Sequence, residues 1–132
     1  MTKEISKKQL GGWGESLARD YLLAKGWKLL DVNIRIGRGE LDLVFKKEAT
    51  HLVVVEVKTK QNNEMGEPAD LVTDDKIRQI EFLVGELLNR RRYQKKYGLY
   101  QIESWQLDVV AVYGDGEKVD DIVHYENITM WS

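Results

Sequence analysis

The sequence predicts an α/β domain in which helices flank a mixed central β-sheet, in the order α-β-β-β-α-β with one further strand as an alternative at the end. Two observations indicate this class. Segments whose apolar residues follow helical spacing alternate with short runs rich in Val, Leu and Ile. The run LVVV at 52–55 is entirely apolar, which is typical of a strand covered on both faces. Helices on both sides of the sheet would supply that cover.

The first helix is predicted over residues 9–25. Gly26 supplies its stop, and its apolar side chains follow helical spacing at Leu10, Trp13, Leu17, Tyr21 and Ala24. Strands are predicted at 27–34, 40–46 and 51–58, with the glycine turn IGRG between the first two. The polar segment KQNNEMGEPAD at 60–70 holds the only proline and is predicted to be a loop.

A second long helix is predicted to begin behind Thr73, a residue type that caps helix N-termini. Apolar residues follow helical spacing from Ile77 to Leu88, and Gly98 lies beyond the predicted end. A strand is predicted at 105–113, and 121–125 is the candidate for one more.

Length and composition exclude several classes of protein. The 132 residues are expected to form one domain over 1–132. The chain has no cysteine, which excludes disulfides and thiolate metal sites. It has no apolar run of about 18 residues, and MTKEISKKQL lacks the apolar segment of a signal peptide. We therefore expect a cytoplasmic protein without a membrane partner or a small-molecule cofactor.

The charges are unevenly distributed along the chain. Up to Gly98 there are 19 Lys and Arg against 15 Asp and Glu, a balance of +4. From Leu99 onward Lys118 stands alone against seven acids, a balance of −6. A basic face for a polyanion is therefore compatible with the net charge of −2. An ordinary solvated surface with an acidic C-terminal part explains the same numbers.

Two acidic residues lie in strands that are otherwise apolar. If the strands at 40–46 and 51–58 form a hairpin with 48–50 as a three-residue loop, the numbers of opposed residues sum to 98. Asp42 then faces Glu56, with their Cβ atoms about 5 Å apart. A slip of one residue would move Asp42 to the other face of the sheet.

Two carboxylates this close repel each other unless one is protonated or a cation lies between them. Mg²⁺ suits such oxygen ligands, with Mn²⁺ as the alternative ion. Lys58 shares the face of Glu56, with Glu40 expected across from it. A metal ion beside a lysine suggests phosphate-ester chemistry, because the metal polarises a phosphoryl oxygen and activates water. Ordinary surface ion pairs at a strand end are the alternative.

An Asp on one strand followed by Glu-x-Lys on the next resembles the core of the PD-(D/E)xK nuclease superfamily, which has the restriction-endonuclease-like fold. Within it, the chain resembles the YraN-like family of endonuclease-related proteins and is similar to the archaeal Holliday junction resolvases. The matching pieces cover about residues 11–113 and are, in order, GESLARDYLLAKGWKLLDVN, GELDLV, VVVEVKTK, GEPADLVTDDK and LDVVAV.

The resemblance implies that Asp42 and Glu56 bind Mg²⁺ together with the carbonyl of Val57. It makes Lys58 the catalytic lysine and Glu15 a further acid that acts on the metal through water. Taken without the resemblance, Glu15 lies at the margin of the apolar stripe of the first helix, where a structural role is the alternative.

The resemblance also bears on contacts to nucleic acid. Lys76 matches a lysine position of the family, whereas Lys60 and Gln106 stand where arginine is usual or common. Arg35 and Arg38 flank the glycine turn, where they meet either phosphates or only solvent. These two arginines, Lys60 and Lys76 are the candidate DNA contacts.

The segment NRRRYQKK at 89–96 has two interpretations. It contacts nucleic acid, or it places cations at a helix C-terminus, where the dipole favours them. The function that we expect is a Mg²⁺-dependent endonuclease that hydrolyses DNA, with structured or branched DNA as a candidate substrate. A non-catalytic binding module with the same fold is the alternative. By analogy with the resolvases, a homodimer is a further expectation.

Overall fold

The computed structural model describes residues 5–61 and 72–128. These residues form helices and strands in the predicted order, with the further strand present. The helices are α1 Lys7–Leu23, α2 Asp74–Asn89 and α3 Arg91–Tyr97, and the strands are β1 Lys28–Ile36, β2 Gly39–Glu48, β3 His51–Lys60, β4 Ser104–Gly114 and β5 Val119–Tyr125. Most of the predicted loop at 60–70 lies outside the described residues. None of the described helices is long and apolar enough to cross a membrane.

The five strands form one mixed sheet in the order β1-β2-β3-β4-β5. Strands β3 and β4 are parallel, and every other neighbouring pair is antiparallel. The chain between the parallel strands contains α2 and α3, which is the crossover that a parallel pair requires. The predicted mixed sheet is thus confirmed, and β3 lies at its centre.

Helices cover both faces of the sheet. On one face, α1 packs Ala18 and Leu22 in a layer with Phe45 and Val53. On the other face, α2 and α3 pack against alternate strand residues, and this layer includes Ile80, Leu83, Val84, Leu87 and Tyr93 with Val44, Leu52, Val54 and Leu107. Because successive residues of β3 enter opposite layers, each residue of the run LVVV is at most 1% exposed.

The second predicted helix is divided in two, and Gly98 lies beyond the end of the second part, as expected. Thr73 caps the N-terminus as predicted, since its side chain accepts from the amide of Lys76. The break is at Arg90, whose φ of −86° and ψ of 127° are extended. This turn in the chain lets α3 bury Tyr93 and lets the Tyr97 hydroxyl donate to Asp31 of β1 at 2.7 Å.

The predicted register of the β2–β3 hairpin is confirmed over four pairs, whose numbers sum to 98, from Leu43 with Val55 to Lys46 with Leu52. The predicted three-residue loop is wrong. Glu48 pairs with His51, which leaves a shorter turn, and a register shift lies between Lys46 and Glu48. The extra residue is accommodated within the strand as a bulge.

A chain of hydrogen bonds connects β3, β4 and β5. Asp108 is completely buried and accepts from Gln106 Nε2 at 2.8 Å, from His124 Nε2 at 2.7 Å and from the amide of Asn127 at 2.8 Å. Gln106 Oε1 in turn lies 2.7 Å from His51 Nε2. Because the Gln106 side-chain nitrogen donates to Asp108, its Oε1 is an acceptor, and His51 donates to it through a protonated Nε2. His124 donates to the Asp108 carboxylate through its own protonated Nε2.

Candidate functional site

The candidate site begins where β2 and β3 separate. Their last backbone pair joins Leu43 and Val55, so the next two residues, Asp42 and Glu56, lie beyond the ladder. There, Asp42 Oδ2 accepts from the amide of Val57 at 2.9 Å. The amide and carbonyl of one strand residue point to the same side of the strand, so the Val57 carbonyl faces the same gap. The Asp42 carboxylate thus takes the place of the backbone carbonyl that would accept from the Val57 amide in a continuous ladder.

Strand β1 also departs from regular strand geometry beside this gap. Asn33 has a φ of 50°, in the left-handed region that Asn tolerates better than most residues. As a result, Val32 packs in the layer of α1 and Ile34 in the layer of α2, although alternation alone would place them on one face. Leu41 and Leu43 of β2 divide between the two layers in the same way. The sheet is therefore irregular beside the site.

Glu56 is the most buried acid of the site, at 6% exposed. Its Oε1 lies 3.6 Å from the ammonium of Lys58 and 3.9 Å from that of Lys76. Burial and the negative charge of Asp42 raise the pKa of Glu56 to about 7, although the two lysines oppose the shift. Near neutral pH this carboxyl group is therefore divided between its protonated and ionised forms.

The pKa of Asp42 is also raised. Burial is the main cause, and the Val57 amide and the charge of Lys76 act against it. The two carboxyl groups repel each other, so a cation between them would favour the ionised form of both.

Glu15 reaches this region from α1. The preceding residue, Gly14, packs so closely on β3 that a Cβ there would lie 2.0 Å from Thr59 Oγ1. Burial and the charge of Asp42 raise the pKa of Glu15. The Asn33 amide nitrogen, when oriented toward the acids, donates to Glu15 Oε2 at 3.3 Å and to Glu40 Oε1 at 2.8 Å.

Within the described part of the chain, no three Asp, Glu or His side chains converge closely enough to enclose an ion by themselves. The structure brings Asp42, Glu56 and the Val57 carbonyl to one gap, with Lys58 and Lys76 beside it. Glu15 interacts with this gap through the charge of Asp42.

The other predicted contacts surround the gap less closely. Arg35 is 83% exposed in its side chain and lies 3.6 Å from Glu40, its cross-strand partner on β2. The β2–β3 ladder ends at Leu43 and Val55, so it does not extend to the expected pair of Glu40 and Lys58. Arg38 is exposed in the turn, and Lys60 is half-buried at the end of β3.

Sequence reasoning missed Asn33. Its amide links two carboxylates, and its backbone produces the twist of β1. The available signal was an asparagine inside the strand-like run KLLDVNIRI, because Asn is depleted in regular strands and tolerates left-handed backbone.

These features define an α/β protein with one buried and one half-buried carboxylate and two lysines at the point where neighbouring strands separate. The chain belongs to the uncharacterised protein family UPF0102, whose model matches residues 14–112. This membership confirms the YraN-like resemblance of the sequence.

Relatives in the family align over most of the chain. A UPF0102 protein of Vibrio campbellii is 36% identical over 116 residues, 88% of this chain and 90% of its own. One from Mycolicibacterium gilvum is 35% identical over 129 residues, 97% of this chain and 99% of its own. One from Caldicellulosiruptor bescii is 36% identical over 113 residues.

Proposed function

We propose that this protein is a Mg²⁺-dependent endonuclease with a restriction-endonuclease-like fold that hydrolyses phosphodiester bonds in DNA. The observation that carries the proposal is the hydrogen bond from the Val57 amide to Asp42 at the end of the β2–β3 ladder. It holds two carboxylates and a backbone carbonyl at one gap, with Lys58 alongside. Structured or branched DNA of repair or recombination is the candidate substrate, and Mn²⁺ is the alternative ion.

The donor set fits a hard divalent cation. Carboxylate and carbonyl oxygens are the ligands that Mg²⁺ takes in proteins, usually with several waters. The charge of Asp42 makes ionisation of Glu56 less favourable, and a cation between the two carboxylates would relieve this. When bound, the ion would supply a Lewis acid and a water of lowered pKa.

The protein's own groups have separable tasks in this proposal. Asp42 and Glu56 fix the position of the ion, and Asp42 is itself held by the amide of Val57. Lys58, two residues after Glu56 on the same strand face, orients the attacking water or stabilises charge that develops on the phosphate. Lys76 brings a second ammonium from the first turn of α2. Glu15 and Asn33 hold water at the edge of the gap.

One observation favours the second candidate, a nucleic-acid-binding or protein-interaction module without catalysis. Lys58 and Lys76 both lie within 4 Å of the same Glu56 oxygen, so this carboxylate has cationic partners in the protein itself. A module of this kind would bind DNA equally well with and without a divalent ion.

A cleavage panel separates the two candidates. The protein is incubated with duplex, single-stranded and branched DNA in Mg²⁺, in Mn²⁺ and in EDTA, beside the variant Asp42→Asn and the matched control Asp20→Asn on the exposed side of α1. The endonuclease proposal expects ion-dependent cuts that the control retains and Asp42→Asn loses. Binding without cuts on every substrate and ion would contradict it and support the module.

A further inference from the structure

We infer that a second, basic surface of this protein binds the phosphates of duplex DNA at a distance from the cleavage site. The surface is formed by Lys28, Lys46, Lys95 and Lys96 and is called the basic surface below. The inference rests on the proposed function, since it extends the substrate of that site to a double helix.

The structure brings these four lysines together from separate elements. Lys28 and Lys46 are direct cross-strand partners on β1 and β2. The Lys46 ammonium donates to the carbonyl of Gly98 at 3.0 Å, immediately beyond α3. Lys95 and Lys96 occupy the last turn of α3 and are exposed. The Lys28–Lys46 pair thus meets the chain just beyond the helix turn that carries Lys95 and Lys96.

The local helix dipole does not account for the whole patch. Lys46, Lys95 and Lys96 lie near the C-terminus of α3, where cations are favourable. Lys28 adds a further positive charge directly opposite Lys46 in the sheet, where like charges are destabilising. None of the four forms an ion pair with a carboxylate among the described residues, in contrast to Lys58 and Lys76. Such a cluster is stabilised by an external anion.

The basic surface and the candidate site share strand β2, which carries both Lys46 and Asp42. Asp42 and Lys46 are four residues apart, a distance of about 13 Å along the strand. This corresponds to about four base pairs of a duplex. The acid between the two regions on β1, Asp31, already accepts from the Tyr97 hydroxyl and the Val32 amide.

Contact with phosphates is favoured over stacking of unpaired bases. The tyrosines of α3 present little ring face to a ligand, because Tyr93 is 7% exposed and Lys96 lies 5.3 Å over the ring of Tyr97. Single-strand binding would need a free aromatic platform. Tyr100, at 66% exposed, is the nearby aromatic side chain that could provide one, and it serves as the discriminating position.

Fluorescence anisotropy in EDTA tests this inference without requiring cleavage. The probe is a duplex of about 20 base pairs, titrated over a range of salt concentrations. The variant Lys28→Gln/Lys96→Gln should weaken binding for unrelated sequences and reduce the slope of log Kd against log salt by about 2, one for each lost contact. The control Arg19→Gln/Lys118→Gln removes the same charge elsewhere and should leave the slope unchanged. Lys28→Arg/Lys96→Arg should restore parental binding, which excludes misfolding as the cause.

Three results would overturn the inference. An equal loss in the control pair would mean that only net charge matters. Loss of binding in Tyr100→Ala, together with a preference for single strands, would mean base stacking. Unchanged DNA binding with an altered sedimentation coefficient would mean that the lysines meet an acidic protein surface. The cleavage panel tests the proposed function separately. If Lys28→Gln/Lys96→Gln cleaves DNA like the parent and its salt slope is unchanged, the inference about the basic surface is contradicted and the proposed function is not.

Discussion

The burial of Glu56 should make the metal-free protein less stable at alkaline than at acidic pH, and Glu56→Gln should remove that dependence. The folded-state pKa is about 7, against an ordinary value of 4.5. Because the folded-state pKa is the higher one, its contribution to stability is fully present below 4.5 and is lost as the pH rises through about 7. Between about pH 5 and about pH 8 the loss is about 2 kcal/mol.

The assay is urea unfolding in EDTA, followed by tryptophan fluorescence at several pH values. Glu56→Gln should gain about 2 kcal/mol on the parent as the pH rises across this window. The control Glu48→Gln makes the same substitution at an exposed position of the hairpin and should follow the parent. If the unfolding free energies of Glu56→Gln and the parent change in parallel with pH, ionisation of Glu56 does not destabilise the folded protein. The electrostatic description of the site would then be wrong.

Three further substitutions give distinct results. Asp42→Asn should weaken Mg²⁺ binding in calorimetry while metal-free DNA affinity holds or rises, because a negative charge near the phosphates is lost. Lys58→Ala should keep Mg²⁺ binding yet lose cleavage by about a hundredfold or more in single-turnover assays; parental cleavage in both variants would leave these residues only structural roles. Gly14→Ala should destabilise the fold by about 1–3 kcal/mol in urea unfolding, because its Cβ would meet Thr59 Oγ1 at 2.0 Å. Gly12→Ala, with nothing within 4 Å of the new Cβ, is its control, and an equal effect in the two would contradict this packing argument.

The order of helices and strands and the register of the β2–β3 hairpin could be predicted from the sequence, because both depend on local patterns of residues. The apolar run of β3 and the alternation around it predict a central strand, and Thr73 marks the start of α2. The break at Arg90 was not predictable in this way. Helical spacing continues through the basic segment, and only the burial of Tyr93 and the contact of Tyr97 with Asp31 explain why the chain turns there.

The spacing of the sequence identifies Asp42 and Glu56 as site residues, but it does not predict the surroundings of their carboxyl groups. That β2 and β3 separate at Asp42, beside the left-handed backbone of Asn33, is a tertiary feature with a weak local signal. Asp108 likewise looks like an isolated charge in an apolar strand. Its three donors come from Gln106, His124 and Asn127, and no spacing rule connects all of them.

The end of the ladder at Leu43 and Val55 also determines how the hairpin opens. Local unfolding begins where cross-strand hydrogen bonds are fewest, so β2 should leave β3 first at the Asp42 end. The amide of Val57 needs only a rotation of one carboxylate to meet solvent, whereas the amides that belong to the paired stretch require the strands to part. A ligand that holds Asp42 and Glu56 together would replace the rungs that this end of the sheet lacks. Slower hydrogen exchange at Val57 would therefore report occupancy of the gap directly, even when no reaction takes place.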